Sequence, residues 1–236
     1  QEKLDALEGH CFGNDAKKYT FYKAITIVCE AAMLLPKRYA AACREQAAGD
    51  VSEERRAELL SMADSLDWIL ENPCRTFYEA VQSGFLYQLL LIMDGNMHGL
   101  TYGRVDQYVG KYYDADAAAG RITRAQAQEI MDCFFLKVSD CSKAWAEKRA
   151  QRSGGYTSGQ HMTLGGVDKQ GRDATNEASY MMLEASARLT LHEPPLSLRV
   201  HPGMPDKLWE CAVETTKRCG GIPTLQNDEV IIPMLE

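Results

Sequence analysis

The sequence predicts an α/β protein that is mostly helical, with a few short strands gathered in its last third. Three features carry this expectation. Most of the chain up to Arg152 repeats apolar side chains at helical spacing. The stretch after it alternates extended and helical segments between glycine and proline brackets. No internal repeat or low-complexity linker interrupts the 236 residues, so no domain boundary is expected within 1–236. Long helices followed by strand–helix–strand suggest helices packed outside a sheet. A few short strands cannot cover both faces of such a sheet or satisfy its edges, so the sheet's remaining strands are expected elsewhere.

Each element has its own signal. "YTFYKAITIVCEAAMLLPKRYAAACREQA" has helical periodicity, with a kink or break expected at Pro36. "SEERRAELLSMADSLDWIL" is amphipathic and acidic at its start. "NPCRTFYEAVQSGFLYQLLLIMDG" is a third helix, with Asn72 as the expected cap and Pro73 in its first turn. "GRVDQYVGKYYDADAAAG" is a short helix ending near Gly120. "ITRAQAQEIMDCFFLKVSDCSKAWAEKRAQR" opens with Thr123 and Gln126 at capping-box spacing, where each side chain can satisfy the other's backbone donor. Glycines break the rhythm in "SGGYTSGQHMTLGGVDKQGRD", where "HMTLGG" reads as a strand entering a turn. "DATNEASYMMLEASARLTL" returns to helix, and "PPLSLRVHPG" alternates as a strand. "MPDKLWECAVETTKRCGG" is a helix with Pro205 in its first turn and Gly220-Gly221 past its end. "IPTLQNDEVIIP" reads as extended.

Composition excludes several classes. The chain is 45% hydrophobic and 25% charged, an ordinary globular balance, with a net charge of −7 and a pI near 5.3. No dense Lys/Arg stripe is present, which argues against a nucleic-acid partner. The single basic cluster, Lys148 to Arg152, suits a helix C-terminus. The N-terminal stretch lacks the basic and apolar regions of a signal peptide, and no apolar run approaches a membrane span. Eight cysteines show no C-x-x-C pair and no zinc or disulfide framework. Several fall in apolar helical stretches, Cys29 among them, and are expected to be buried reduced thiols in a cytosolic setting.

Five histidines are present, and none forms an H-E-x-x-H zinc pattern. His98, in "DGNMHGLTYGR", follows a buried helix and sits in a loop of small and polar residues, where function often resides. "SGGYTSGQHMTLGG" contains neither a dinucleotide fingerprint nor a P-loop, so its glycines point to tight turns or close backbone approach. No G-x-S-x-G elbow supports a serine hydrolase. "NDEV" places polar residues between apolar runs, as at a strand end entering a packed or functional region.

The ordered string of motifs says more. "FYKAITIVCEAAMLLPKRYA", "NPCRTFYEAVQ", "GRVDQYVGKYY", "MTLGGVDKQGRDATNEASYMMLEA", "PPLSLRVHPGMPDKLWECA" and "GGIPTLQNDEVIIP" together resemble the pyruvate formate-lyase-like domain of glycyl radical enzymes. The resemblance runs from about residue 18 to the end and implies part of a ten-stranded α/β barrel wrapped by helices. It also implies a chain several times longer, with a thiyl-forming cysteine in a G-C-[VI]-E-like loop and a radical glycine in an R-V-x-G-[YF] motif. Neither motif occurs here, so no catalytic residue is assigned to this segment. The apolar ending "GGIPTLQNDEVIIPMLE" is therefore read as the approach to the cysteine loop of a larger enzyme.

Two pocket positions follow from the resemblance. Aligned on Gly103-Arg104, the substrate-facing His of the dehydratase branch falls on His98 and its Ser on Gly99. Many members place a bulky aromatic where Gly159 stands, so a larger substrate, or one anchored differently, is expected; Gln160 and His161 are candidate polar contacts beside it. The resemblance implies a glycyl radical, outside this segment, installed by a radical S-adenosylmethionine activating enzyme, with no metal in this chain. It further implies a small organic substrate undergoing C–O or C–X cleavage and a cytoplasmic homodimer in an anaerobic bacterium, a bacterial microcompartment being one setting. Decarboxylase and fumarate-adding members are alternatives. Rivals from other classes are a non-catalytic helical binding or assembly module, and a metal-dependent hydrolase using His98, His161 and a carboxylate.

Overall fold

The structure, a computed structural model, describes residues 1–9, 12–95, 99–141, 145–152 and 159–235, without the side chain of Arg149. It comprises two compact units, Gln1–Pro73 and Cys74–Glu236. No glycine- or serine-rich stretch marks the junction, which is why no boundary is legible there in the sequence.

The first unit is helical: α1 (Glu2–Asp5), α2 (Asn14–Ala47) and α3 (Glu53–Trp68). α2 runs through Pro36, so the break expected there does not occur. Proline removes one backbone donor, but its ring is buried on a stripe with Ala40, Cys43 and Ala47 that packs against α3. Small residues on α2 face Leu59, Ala63 and Leu66 of α3. Ser52 caps α3 by accepting the Arg55 amide at 3.1 Å. Arg56 Nε reaches back to the Ala47 carbonyl at 2.9 Å and satisfies an otherwise orphaned acceptor at the end of α2.

The second unit holds α4 (Phe77–Asp94), β1 (Gly103–Arg104), α5 (Val105–Ala118), α6 (Arg124–Asp140), α7 (Glu147–Arg152), β2 (Met162–Gly165), α8 (Glu177–Leu189), β3 (Leu196–Val200), α9 (Asp206–Cys219), β4 (Thr224–Asn227) and α10 (Asp228–Leu235). The strands form one parallel sheet in the order β1-β2-β3-β4. The fold is thus mixed α/β, mostly helical, with a short parallel sheet. Met162, Leu164, Leu196 and Leu198 alternate onto one face and join a core with α4, α5, α6, α8 and α9. The intervening residues Thr163, Ser197, Arg199, Thr224 and Gln226 occupy the other face, whose register pairs Ser197 with Thr224 and Arg199 with Gln226.

Several boundaries depart from expectation. α4 begins at Phe77 and is capped by Thr76, whose hydroxyl accepts the Glu79 amide at 3.2 Å. The Glu79 carboxylate accepts the Arg75 amide at 2.6 Å, so the start is fixed here and not at Asn72–Pro73. The Thr123–Gln126 capping box forms as read. The single helix expected over 122–152 is instead two, because Gln160 Nε2 takes the carbonyls of Val138 and Cys141 at 3.0 and 3.2 Å and ends α6. The final segment is extended only through Asn227. Asn227 Oδ1 accepts the Glu229 amide at 3.0 Å, and acidic residues in the first turn suit the helix that follows.

The cysteines also differ from expectation. Cys43 is buried, but Cys29 and Cys133 are exposed, and Cys74, Cys141, Cys211 and Cys219 are half-buried; these seven, the cysteines among the described residues, are free thiols. Cys29 is exposed on the N-terminal half of α2, as are its neighbours Ile25, Ile27 and Val28, so an apolar neighbourhood in sequence does not become burial. Among the described residues, no helix is long and apolar enough to cross a membrane.

Candidate active site

The shared motifs cluster at the carboxyl ends of the strands, where they act as backbone latches. Asp106 is fully buried, and its Oδ2 accepts the Gly165 amide and the Ser179 hydroxyl, both at 2.7 Å. Arg104 donates to the carbonyls of Gly165 at 2.6 Å and Val167 at 3.1 Å. Gln107 donates to the Ala174 carbonyl at 2.8 Å. The "GRVDQ" stretch therefore clamps the turn that leaves β2. Gly165 and Gly166 sit at φ +69° and +79° in that turn, and a Cβ on Gly166 would lie 2.7 Å from Arg199 Nε.

Arg199 forms a two-pronged pair with Asp228, at 2.6 and 2.9 Å, in which the carboxylate is almost wholly buried. The polar "NDEV" stretch is thus a strand end entering a packed region. His201 Nδ1 accepts the Gly203 amide at 3.2 Å while Nε2 faces Asp173 at 3.2 Å, which fixes the "RVHPG" turn. Burial pushes the Asp106 carboxyl up and the Arg104 guanidinium down, so each neutral form is favoured relative to water.

The opposite end of the sheet brings together the positions singled out for substrate. His98 lies outside the described residues. Gly99, at φ +67°, and Gly159, at φ +75°, face each other: a Cβ at 159 would stand 3.3 Å from Gly99 Cα. The missing side chain at Gly159 thus permits a close approach of the two loops, whereas a Cβ at Gly99 would meet nothing within 4 Å. The Tyr102 amide donates to the His161 carbonyl at 2.9 Å and ties the first loop to the second.

The remaining site residues divide by direction. Gln160 is buried, and its side-chain amide closes the end of α6. His161 Nε2 lies 2.6 Å from Ser197 Oγ, which lies 2.8 Å from Thr224 Oγ1. Ser197, Thr224 and Glu193 were missed in sequence. Glu193, also buried, accepts the Gly159 and Gln160 amides at 3.0 and 3.2 Å and so fixes the loop's path. The alternation of "PPLSLRV" already placed Ser197 opposite the leucines, but no local signal joined it to His161.

Burial pushes the thiols of Cys74, Cys141 and Cys211 up, which disfavours the nucleophilic thiolate at each. Two clefts lie elsewhere on the second unit. A groove of about 540 Å³ is lined by Val81, Phe85, Ile122, Ile130 and Phe134, and one of about 560 Å³ lies beside Val167, His201 and Asp228. Among the described residues, no group of three or more His, Cys, Asp or Glu is placed to hold a metal.

A parallel sheet with helices on its apolar face, latched glycine turns at one end and facing glycine loops at the other define the chain's class. It belongs to the pyruvate formate lyase-like family, whose model matches residues 1–236. It is 36% identical over 236 residues to isethionate sulfite-lyase of Nitratidesulfovibrio vulgaris, covering 99% of this chain and 28% of that protein. Among solved structures it resembles a Roseburia inulinivorans protein studied for 1,2-propanediol dehydration, with a TM-score of 0.93 and 36% identity, covering 99% of this chain and 29% of that one. It also resembles the B12-independent glycerol dehydratase of Clostridium butyricum, at a TM-score of 0.91 and 35% identity, with 99% and 29% covered. The chain spans less than a third of the length of these relatives.

Proposed function

We propose that the full-length protein carrying this chain is a glycyl radical lyase or dehydratase that cleaves a C–O or C–X bond of a small organic substrate. The observation that carries this reading is the match of the whole chain to one family, with relatives named for sulfite elimination and for dehydration. On this reading the four strands are one part of a ten-stranded barrel. Residues outside this chain supply the radical glycine and the thiyl-forming cysteine, and a radical S-adenosylmethionine activase installs the radical. The radical chemistry would begin substrate turnover by hydrogen-atom abstraction.

This chain's residues bind, orient and enclose. His98 and Gly99 would line the substrate side of one loop, with Gly159 and His161 on the other. Gly99 has no hydroxyl to offer, and the Gly159 side-chain position is taken up by close contact with Gly99. Both features favour a substrate anchored differently from one held by a serine at 99. Glu193 and Gln160 would hold the second loop in place, and the helices over the sheet's apolar face would help keep water from the reacting centre.

The test is anaerobic incubation of the full-length protein with its activase, S-adenosylmethionine and a reductant. An organic-radical signal by electron paramagnetic resonance, followed by bond cleavage in a panel of diols and hydroxysulfonates, is expected. No radical, under conditions that activate a control member of the family, would overturn the assignment.

A further inference from the structure

We propose that His161, Ser197 and Thr224 form a hydrogen-bonding wall that anchors a hydroxyl group of the substrate, in place of the hydroxyl absent at Gly99. His161 immediately precedes β2, Ser197 lies in β3 and Thr224 in β4. Ser197 and Thr224 are register partners on neighbouring parallel strands. Their polar atoms run in line, His161 Nε2 to Ser197 Oγ at 2.6 Å and Ser197 Oγ to Thr224 Oγ1 at 2.8 Å. The row starts at the loop that meets Gly99 and crosses the sheet face away from the apolar core.

The far end of the row sets its direction. Thr224 Oγ1 lies 3.3 Å from the Leu196 carbonyl, which can only accept, so the threonine donates there. Thr224 then accepts from Ser197, and Ser197 accepts from His161 Nε2–H. A neutral imidazole that donates through Nε2 carries a lone pair on Nδ1. Among the described residues nothing bonds to that nitrogen. Thr224 is exposed and has a second acceptor site. The wall therefore offers acceptors, and its complement is a small molecule with a hydroxyl donor. Ser197, buried and bonded on both sides, acts through His161 as a positioning residue.

This assignment rests on the pocket placed under the proposed function, but it is tested without the radical. Binding of isethionate, propane-1,2-diol and the hydroxyl-free control ethanesulfonate is measured by calorimetry on the unactivated full-length protein. At least one hydroxylated probe should bind, and isethionate should bind more tightly than ethanesulfonate. Ser197→Ala and Thr224→Val should each weaken the hydroxylated probe on the order of fivefold to tenfold, as expected for one neutral hydrogen bond. Ethanesulfonate binding should be unmoved, and Thr224→Ser should restore the wild-type value.

Equal weakening of both sulfonates would mean a merely structural role and would overturn the proposal. So would unchanged binding in both variants, or no binding of any hydroxylated probe to the wild type. A normal radical with indifferent Ser197 and Thr224 variants sinks the wall alone. Hydroxyl-selective binding without a radical keeps the wall and sinks the glycyl radical reading.

Discussion

Asp106 is a carboxylate with no accessible surface that accepts a backbone amide and a serine hydroxyl. Burial pushes its carboxyl above the ordinary range, although the Gly165 amide and the Ser179 hydroxyl pull the other way. The folded chain thus keeps this proton to higher pH than the unfolded chain, whose carboxyl titrates near about 3.9. Its stabilising contribution is fully present below that value and is lost as pH rises through the folded one. Asp106→Asn keeps one carbonyl oxygen to accept from the Gly165 amide and the Ser179 hydroxyl, and should flatten this part of a melting-temperature profile against pH. Asp106→Ala should cost about 1–3 kcal/mol for each donor it orphans, read by urea denaturation. The "GRVDQ" stretch was legible as a family marker, but its task was not. The Gly165 amide that Asp106 serves is 59 residues away.

Among the elements, α6 shows what local chemistry decides. Its start was readable because Thr123 and Gln126 satisfy each other's backbone donors within one turn. Thr123→Ala should therefore destabilise by about 1 kcal/mol, seen as a lower denaturation midpoint with an unchanged slope. Its end was not readable, because the partner that takes the last carbonyls is Gln160, from beyond the next helix. α10 repeats the lesson in reverse. "NDEVIIP" reads as extended by its apolar run, yet Asn227 supplies a cap and Asp228 is drawn in by Arg199. Pro36 gives a third case, in which packing along one face of α2 carries the helix through a residue whose intrinsic preference is to stop it.

At the scale of the whole molecule, the second unit is held by buried polar ties between segments distant in sequence. The Arg199–Asp228 pair joins β3 to α10 beside the glycine turn leaving β2. Removing one partner leaves a buried charge without its counter-ion, so Arg199→Met should cost about 3–5 kcal/mol. The measurement is thermal and urea denaturation beside Arg199→Met/Asp228→Leu, which should recover part of the loss. Large apolar side chains, Phe21, Ile25, Ile27 and Val28, stay exposed on the first half of α2. A sequence reading that assigns every apolar stretch to the interior misplaces them, and Cys29 with them.

The sequence alone determined the mostly helical α/β class, the caps that need only neighbours within a turn, the presence of β2, the alternation of β3, and the family. Each of these depends on short-range spacing or on an ordered string of motifs. The tertiary structure decided where α6 ends and that Gly99 meets Gly159. It also decided that His161 lines up with Ser197 and Thr224 while Gln160 turns to α6. These depend on contacts between residues tens of positions apart, and a hydrogen bond or a close backbone approach at that separation leaves no periodic trace in the chain.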